Sequence, residues 1–336
     1  MFATLSRQVG RPAARVAPQR LAVLAATALA LTVRLYLLSR TRYLTGITEY
    51  DDGVYLGGAV NLISGAVPYR DFAFVQPPGI LLLMAPVALI AKVTAITHAM
   101  AVARLLTVGA SAAGVALAGS LVRSRGTLAT LVTGGLLAVY PGDIFTAHTL
   151  LLEPWMNLLA LCGAGLAFRG GQLASPRRLL WAGVALGLAG TVKYWAVIPA
   201  LVLFAVCLVS DRHGRPGRRA ARFGFGTGAG FALPVLPFAV AAPGPLLRST
   251  LTDQAARAAS AVPESLRLAS LTGLTPLLND AGRLTVAAGS DSMFARGDVT
   301  ADLTWATGGL PALTAVAVVA ALGFGYARGC GWPRPA

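Results

Sequence analysis

Apolar stretches of membrane length recur along the whole chain, at residues 21–39, 77–97, 102–122, 127–141, 152–168, 179–209, 222–242 and 307–327. A helix needs about 20 apolar residues to cross the ~30 Å hydrocarbon core of a bilayer, and most of these stretches reach or approach that length. Inside hydrocarbon every backbone polar group must be satisfied within its own segment, so such stretches fold as helices. Only 12% of the 336 residues are charged, against about 25% in an average soluble domain. Too few polar residues remain to cover a water-facing surface, and the bilayer is the expected solvent. The fold class that follows is an all-α polytopic membrane protein.

The net charge of +15 would fit a nucleic-acid binder if the arginines formed a face. They cluster instead in short polar breaks between apolar runs, as in loops retained on the cytoplasmic side, and no nucleic-acid partner is expected. Cys162, Cys207 and Cys330 are too few and too scattered for a disulfide framework. No spacing of Cys and His suits a zinc site. The basic start, with Arg7, Arg11, Arg15 and Arg20 before the apolar run from Leu21, could be read as a signal peptide. Apolar character resumes after Arg34 to give about 19 residues, so an uncleaved anchor is expected.

The 179–209 stretch is too long for one comfortable crossing, and Lys193 sits in its middle. A cation at mid-bilayer costs about 2.5–3.5 kcal/mol even on the mild insertion scale, so the stretch should turn near Lys193 and cross twice. Three basic clusters then test the topology: Arg123/Arg125, Arg169/Arg177/Arg178, and the block from Arg212 to Arg219. If every segment spans, all three fall outside. If 77–97 lies on the outer face instead, all three join the N-terminal arginines inside, as the positive-inside rule prefers. Pro77-Pro78-Gly79, Pro86 and Lys92 suit a surface helix. The expected layout has about eight spans. A basic cytoplasmic N-terminus covers 1–20, and a seven-helix module covers 21–242 with an outer loop at 40–101. A second outer loop spans about 142–153 and a third 243–306, and a last helix and tail occupy 307–336.

This layout carries the acids to one membrane face. Of the 13 acidic residues, four (Glu49, Asp51, Asp52 and Asp71) lie between positions 49 and 71. Asp143 and Glu153 flank a shorter outer loop, and Lys193 ends a helix on the same side. A carboxylate there can act as a general base on a substrate reached from outside, and an ammonium suits a phosphate. Plainer readings stand beside these. Asp51 and Asp52 can cap a surface helix, Asp143 can end a turn, and Glu153 is favourable at a helix N-terminus without further role. Arg34 and Lys193 can snorkel. Asp51, Asp143 and Glu153 could also converge on a hard cation.

The motifs Tyr50-Asp51-Asp52-Gly53-Val54-Tyr55, Gly65-Ala66-Val67-Pro68-Tyr69-Arg70-Asp71-Phe72, Gln76-Pro77-Pro78-Gly79 and Gly187-Leu188-Ala189-Gly190-Thr191-Val192-Lys193 occur in an order that resembles the GT-C superfamily of polytopic glycosyltransferases. The nearest group is the bacterial branch related to dolichyl-phosphate-mannose-protein mannosyltransferases, including aminoarabinose-transferase-like enzymes. The resemblance covers about residues 20–240. It implies a GT-C-like helix bundle with outer-face juxtamembrane helices. It further implies an enzyme of the cytoplasmic membrane that moves a sugar from a polyprenyl phosphate to a hydroxyl of a cell-envelope glycan, lipid or protein acceptor. By position Asp51 would be the base, although Asp52 stands where the family often has Glu. Lys193, with Arg34, would meet the donor phosphate, and Asp143 and Glu153 would be the second-loop acids. The closer relatives of this type need no metal, so none is expected, with a divalent ion as the competing case. Other readings are a transporter or lipid-sugar flippase, for which no inverted repeat is visible, and an inactive, shortened paralogue.

Overall fold

The computed structural model describes residues 17–39, 43–47, 49–169, 171–210 and 217–258, and two short paired strands at 284–285 and 300–301. The expected last helix (307–327), most of the 243–306 loop, the N-terminal arginines up to Arg15 and residues 211–216 of the basic block lie outside the described residues.

The described chain is helical. In order it forms α1 (Pro18–Leu38), α2 (Tyr50–Ile63), α3 (Gly79–Val93), α4 (Ile96–Leu121), α5 (Thr127–Val139), α6 (Pro141–Ala147), α7 (Glu153–Ala167), α8 (Pro176–Val192), α9 (Val197–Ser210), α10 (Arg218–Ala241), α11 (Pro243–Leu247) and, after a π-helical turn at Arg248–Thr252, α12 (Asp253–Ala258). Proline opens α1, α6, α7, α8 and α11, where its missing N–H costs nothing and its fixed φ suits the first turn. The split expected near Lys193 is present. Its backbone is extended (φ −151°, ψ 131°), which ends α8, and a 3₁₀ turn at Tyr194–Ala196 leads into α9.

Among the described residues three helices are long and apolar enough to cross a membrane: α1, α4 and α10. The pair α5 and α6, bent by 54°, makes a fourth if it counts as one span. The expected figure of about eight is therefore not met by length among the described residues. Helices α7, α8 and α9 have 15, 17 and 14 residues, or about 21–26 Å at 1.5 Å per residue, short of the ~30 Å core. The apolar runs in the sequence included caps and connections that the helices do not. Large apolar side chains such as Leu24, Leu136, Leu201 and Leu233 point outward, as they would toward lipid.

Helices α1 and α5 run alongside α4 in the opposite sense. Gly119 of α4 lies against Val23 and Thr130, while Gly134 of α5 lies against Ala26 of α1. Helix α7 packs on both α4 and α8, and α8 on α10. The α8–α10 contact is the closest. A Cβ built on Gly187 would sit 2.2 Å from the carbonyl oxygen of Thr227, and one on Gly183 would sit 2.1 Å from that of Phe223. Backbones this close need glycine at the crossing, the small-residue packing of membrane helices.

The arrangement sorts the chain ends of the helices into two sets. One end of the bundle holds Arg20, Arg123, Arg125, Arg169, Arg177, Arg178, Arg218 and Arg219. The other holds the end of α1, the start of α4, the α5–α6 bend, the start of α7, the end of α8 and the end of α10. Helix α3 has both ends at this second end, since Gly79 packs against the backbone of Thr191 in the last turn of α8 and Val93 turns into the start of α4. It does not traverse the bundle, as the charge count anticipates for 77–97.

Single cysteines at Ala73, His98 and Ser124, all exposed, in a background lacking the native cysteines, test this. An impermeant thiol reagent on intact cells is expected to label 73 and 98 alike and to spare 124; protection of 98 alone would mean that α3 crosses. Gly187→Leu is expected to separate α8 from α10 and abolish the cooperative thermal unfolding transition in detergent, whereas Gly57→Ala, at a site with open space, leaves it within a few degrees.

Candidate functional site

Helix α4 presents Arg104, Thr107 and Ser111, spaced to share one helix face, and all three are buried. They cover about 10 Å of helix axis. Each grips a different part of the bundle. At the deepest position, Ser111 donates to Asp143 Oδ2 (2.6 Å) and accepts from Arg34 Nε (2.8 Å). At the middle position, Thr107 accepts the indole N–H of Trp155 (3.2 Å), which ties α7 to α4. At the top, Arg104 donates to a carboxylate oxygen of Asp52 and to the backbone carbonyl of Tyr43.

Asp52 is fully buried and engaged on both oxygens. Oδ2 takes Arg104 and the backbone N–H of Glu49 (3.1 Å), and Oδ1 takes the backbone N–H of Leu150 (2.7 Å). One carboxylate therefore caps α2, neutralises a buried guanidinium and anchors the connection between α6 and α7. His148, also buried, sits in the same connection, edge-on to Tyr43 and Phe145 at 5.5 and 5.4 Å between ring centres.

Asp51, one residue earlier, is half-buried, and its side chain makes no hydrogen bond or ion pair among the described residues. The exposed Glu49 carboxyl beside it is pushed above its ordinary range, first by partial desolvation and then by the charges of Asp52 and Asp51. The first turn of α2 is a concentration of negative charge in which, among the described residues, Asp52 alone is neutralised by a cation.

Lys193 caps the end of α8, and its ammonium bonds Glu153 Oε1 at the first turn of α7. Both side chains are part-exposed, at 25% and 31%. The helix break thus delivers the cation to the acidic end of the bundle. Glu153 gains from the positive end of the α7 dipole, and its Oε2 is buried with no protein partner.

Arg34 behaves differently from the phosphate contact expected of it. It is fully buried, and its five N–H groups go to Ser111, to the carbonyls of Ala30, Ala138 and Leu137, and to Asp143 at 2.5 Å. No donor is left for a ligand, so Arg34 holds α1 against α4, α5 and α6. Asp143 is correspondingly an internal partner, 15% exposed. The acids do not form one ligand set: among the described residues no three His, Cys, Asp or Glu side chains come together as for a metal ion.

Of the expected residues, Asp51 is the unengaged acid, Lys193 and Glu153 form one accessible pair, Asp52 is locked, and Arg34 and Asp143 form a buried pair. The sequence reading passed over Arg104. The signal was present, since a cation three residues into the 102–122 run invites the same question as Lys193. No protein-family model and no curated protein matches the chain.

Removing one partner of a buried pair strands the other charge, at a cost of about 3–5 kcal/mol, whereas replacing both by apolar residues is often neutral. Asp52→Ala and Arg104→Met are each expected to lower thermal stability in detergent by that amount, and Asp52→Leu/Arg104→Met is expected to recover much of it. Additive losses in the double variant would mean that the two residues act separately.

Proposed function

We propose that the chain is a GT-C-like membrane glycosyltransferase that moves a sugar from a polyprenyl-phosphate donor to an acceptor hydroxyl, with inversion, at the outer face of the cytoplasmic membrane. The observation that carries this reading is the pairing of opposites at one end of the bundle. A carboxylate with no partner among the described residues, Asp51, stands on a helix whose first turn is fixed by Asp52, and an accessible ammonium, Lys193, is delivered to the same end by a break in a membrane helix. The arginine-rich opposite end would be cytoplasmic by the positive-inside rule, which puts Asp51 and Lys193 outside.

In this mechanism the Asp51 carboxylate takes the proton of the acceptor hydroxyl as its oxygen attacks the anomeric carbon. The bond from that carbon to the donor phosphate breaks, and its electron pair leaves with the lipid phosphate. An ammonium has three N–H donors and no acceptor. One goes to Glu153, so two remain for the phosphate oxygens, whose charge grows in the transition state. Glu153 steers the ammonium and limits its motion. A single displacement inverts the anomeric centre. The acceptor class is an envelope glycan, lipid or protein hydroxyl.

Membranes supplied with defined polyprenyl-phosphate sugars, with release of lipid phosphate followed over time, test the reading. Asp51→Asn keeps the size and removes the basicity, so turnover is expected to fall by about 10²–10⁴-fold at unchanged protein level. Lys193→Met is expected to lower turnover more than donor affinity, because the lost interaction strengthens as charge develops. Unchanged values for both variants would leave Lys193 a snorkelling residue and remove the basis of the reading.

A further inference from the structure

Two internal locks fix the polar boundaries of the α7–α8 hairpin. At the acidic end the Lys193 ammonium bonds Glu153. At the arginine-rich end Arg178 Nη2 donates to the carbonyl of Gly165 (3.0 Å), in the last turn of α7. The rise from Glu153 to Gly165 along α7 is about 18 Å, and that from Arg178 to Lys193 along α8 about 22 Å, at 1.5 Å per residue. A short helix can sit in a thick bilayer if its terminal cations snorkel outward to the headgroups. Here each cation is held by a partner on the neighbouring helix, and snorkelling would break that bond.

Aromatic side chains mark the same two levels. Trp181 stands about one turn inside Arg178 and Trp195 just past Lys193, and both are exposed, at 55% and 65%. Tryptophan and tyrosine collect at membrane–water interfaces. On α1 the exposed apolar face runs from Leu21, next to Arg20, to Tyr36, about 22 Å. Helix α9 with its leading 3₁₀ turn, Tyr194–Ser210, reaches about 25 Å. Helix α5 has 13 residues before the 54° bend. The longer helices α4 and α10 fit this measure. Thr107 lies level with Trp155 and Gly190 with Phe231, so Met100 on α4 and Val235 and Phe238 on α10 stand beyond the Glu153–Lys193 level. There they are buried in one apolar cluster with Met84 of α3. Both helices thus carry part of their length past the lock to pack around α3.

We infer that this bundle is matched to a thin bilayer, with a hydrocarbon layer of about 20–25 Å rather than the usual ~30 Å, and that its lipid-facing surface binds short-chain phospholipids in preference to long-chain ones. The preference is for acyl length and not for a headgroup, because what is matched is the distance between two polar levels. The inference does not rest on the glycosyltransfer reading, since no transfer is measured.

The test uses the full chain in phosphatidylcholine vesicles. Leu24→Trp on α1 and Leu201→Trp on α9, both at exposed positions, are each read by difference from the parent chain, as brominated lipid quenches the added indole. Brominated dimyristoleoyl, dioleoyl and dierucoyl phosphatidylcholine share a headgroup and form successively thicker bilayers. Each competes with unbrominated dioleoyl phosphatidylcholine. At both positions the shortest lipid is expected to bind at least about twofold better than the dioleoyl lipid, and the longest to bind worst. Four leucines inserted after Val209 lengthen α9 by about 6 Å. This insertion is expected to remove the preference at Leu201 and to leave it at Leu24. Equal binding of the three lipids, best binding of a longer one, or a short-chain preference at Leu201 that survives the insertion overturns the proposal.

Discussion

The contact on which the acidic end of this bundle depends is the buried pair between Arg104 and Asp52. Three groups outside α4 converge on it: the Tyr43 carbonyl before α2, Asp52 within α2, and the Leu150 amide before α7. None of these segments is a long membrane helix. A buried guanidinium on α4 supplies a point with strict donor geometry, and each segment docks by satisfying it. The apolar cluster formed by Tyr55, Leu56, Ile80, Leu81, Met84 and Leu152 then fills the space around the pair.

A second constraint acts from α8. Hydrocarbon does not tolerate an unpaired ammonium at mid-depth, and the break at Lys193 brings the cation to a helix end, where Glu153 meets it. The break is possible because α8 is secured below it, through Gly183 and Gly187 against the backbone of α10 and through Leu179 and Leu186 in a buried cluster with Phe223 and Leu203. The tight crossing fixes the length at which α8 ends, and that in turn fixes where Lys193 emerges.

Much of this was legible in the sequence. The break followed from the cost of one lysine, and the arginine clusters anticipated that the helix within 77–97 does not traverse the bundle. Those inferences work because each depends on local composition and one long-range rule. The partners were not legible. Nothing in spacing tells that Arg34 meets Asp143, 109 residues away, or that Asp52 rather than Asp51 turns inward. Arg34 looked free because a sequence cannot display five internal acceptors. Among the described residues fewer helices reach spanning length than the apolar runs suggest, because apolar composition continues through caps and turns, whereas a helix does not.

Two ion pairs buried inside a helix bundle are a weak way to gain stability, since apolar replacements of the same volume often do as well. Their value here is placement. If α4 slipped by one turn, about 5.4 Å, Arg104 would leave Asp52 without its cation and Ser111 would leave both Asp143 and Arg34, so the network admits one register. Register on α4 sets the rotation of α2 through Asp52. Successive residues on a helix point about 100° apart, so fixing Asp52 inward necessarily turns Asp51 out of the core. A carboxylate on a freely rotating surface helix would sample many directions. On this helix, the neighbour that is buried and saturated with hydrogen bonds holds Asp51 in one direction, where its carboxylate has no partner among the described residues.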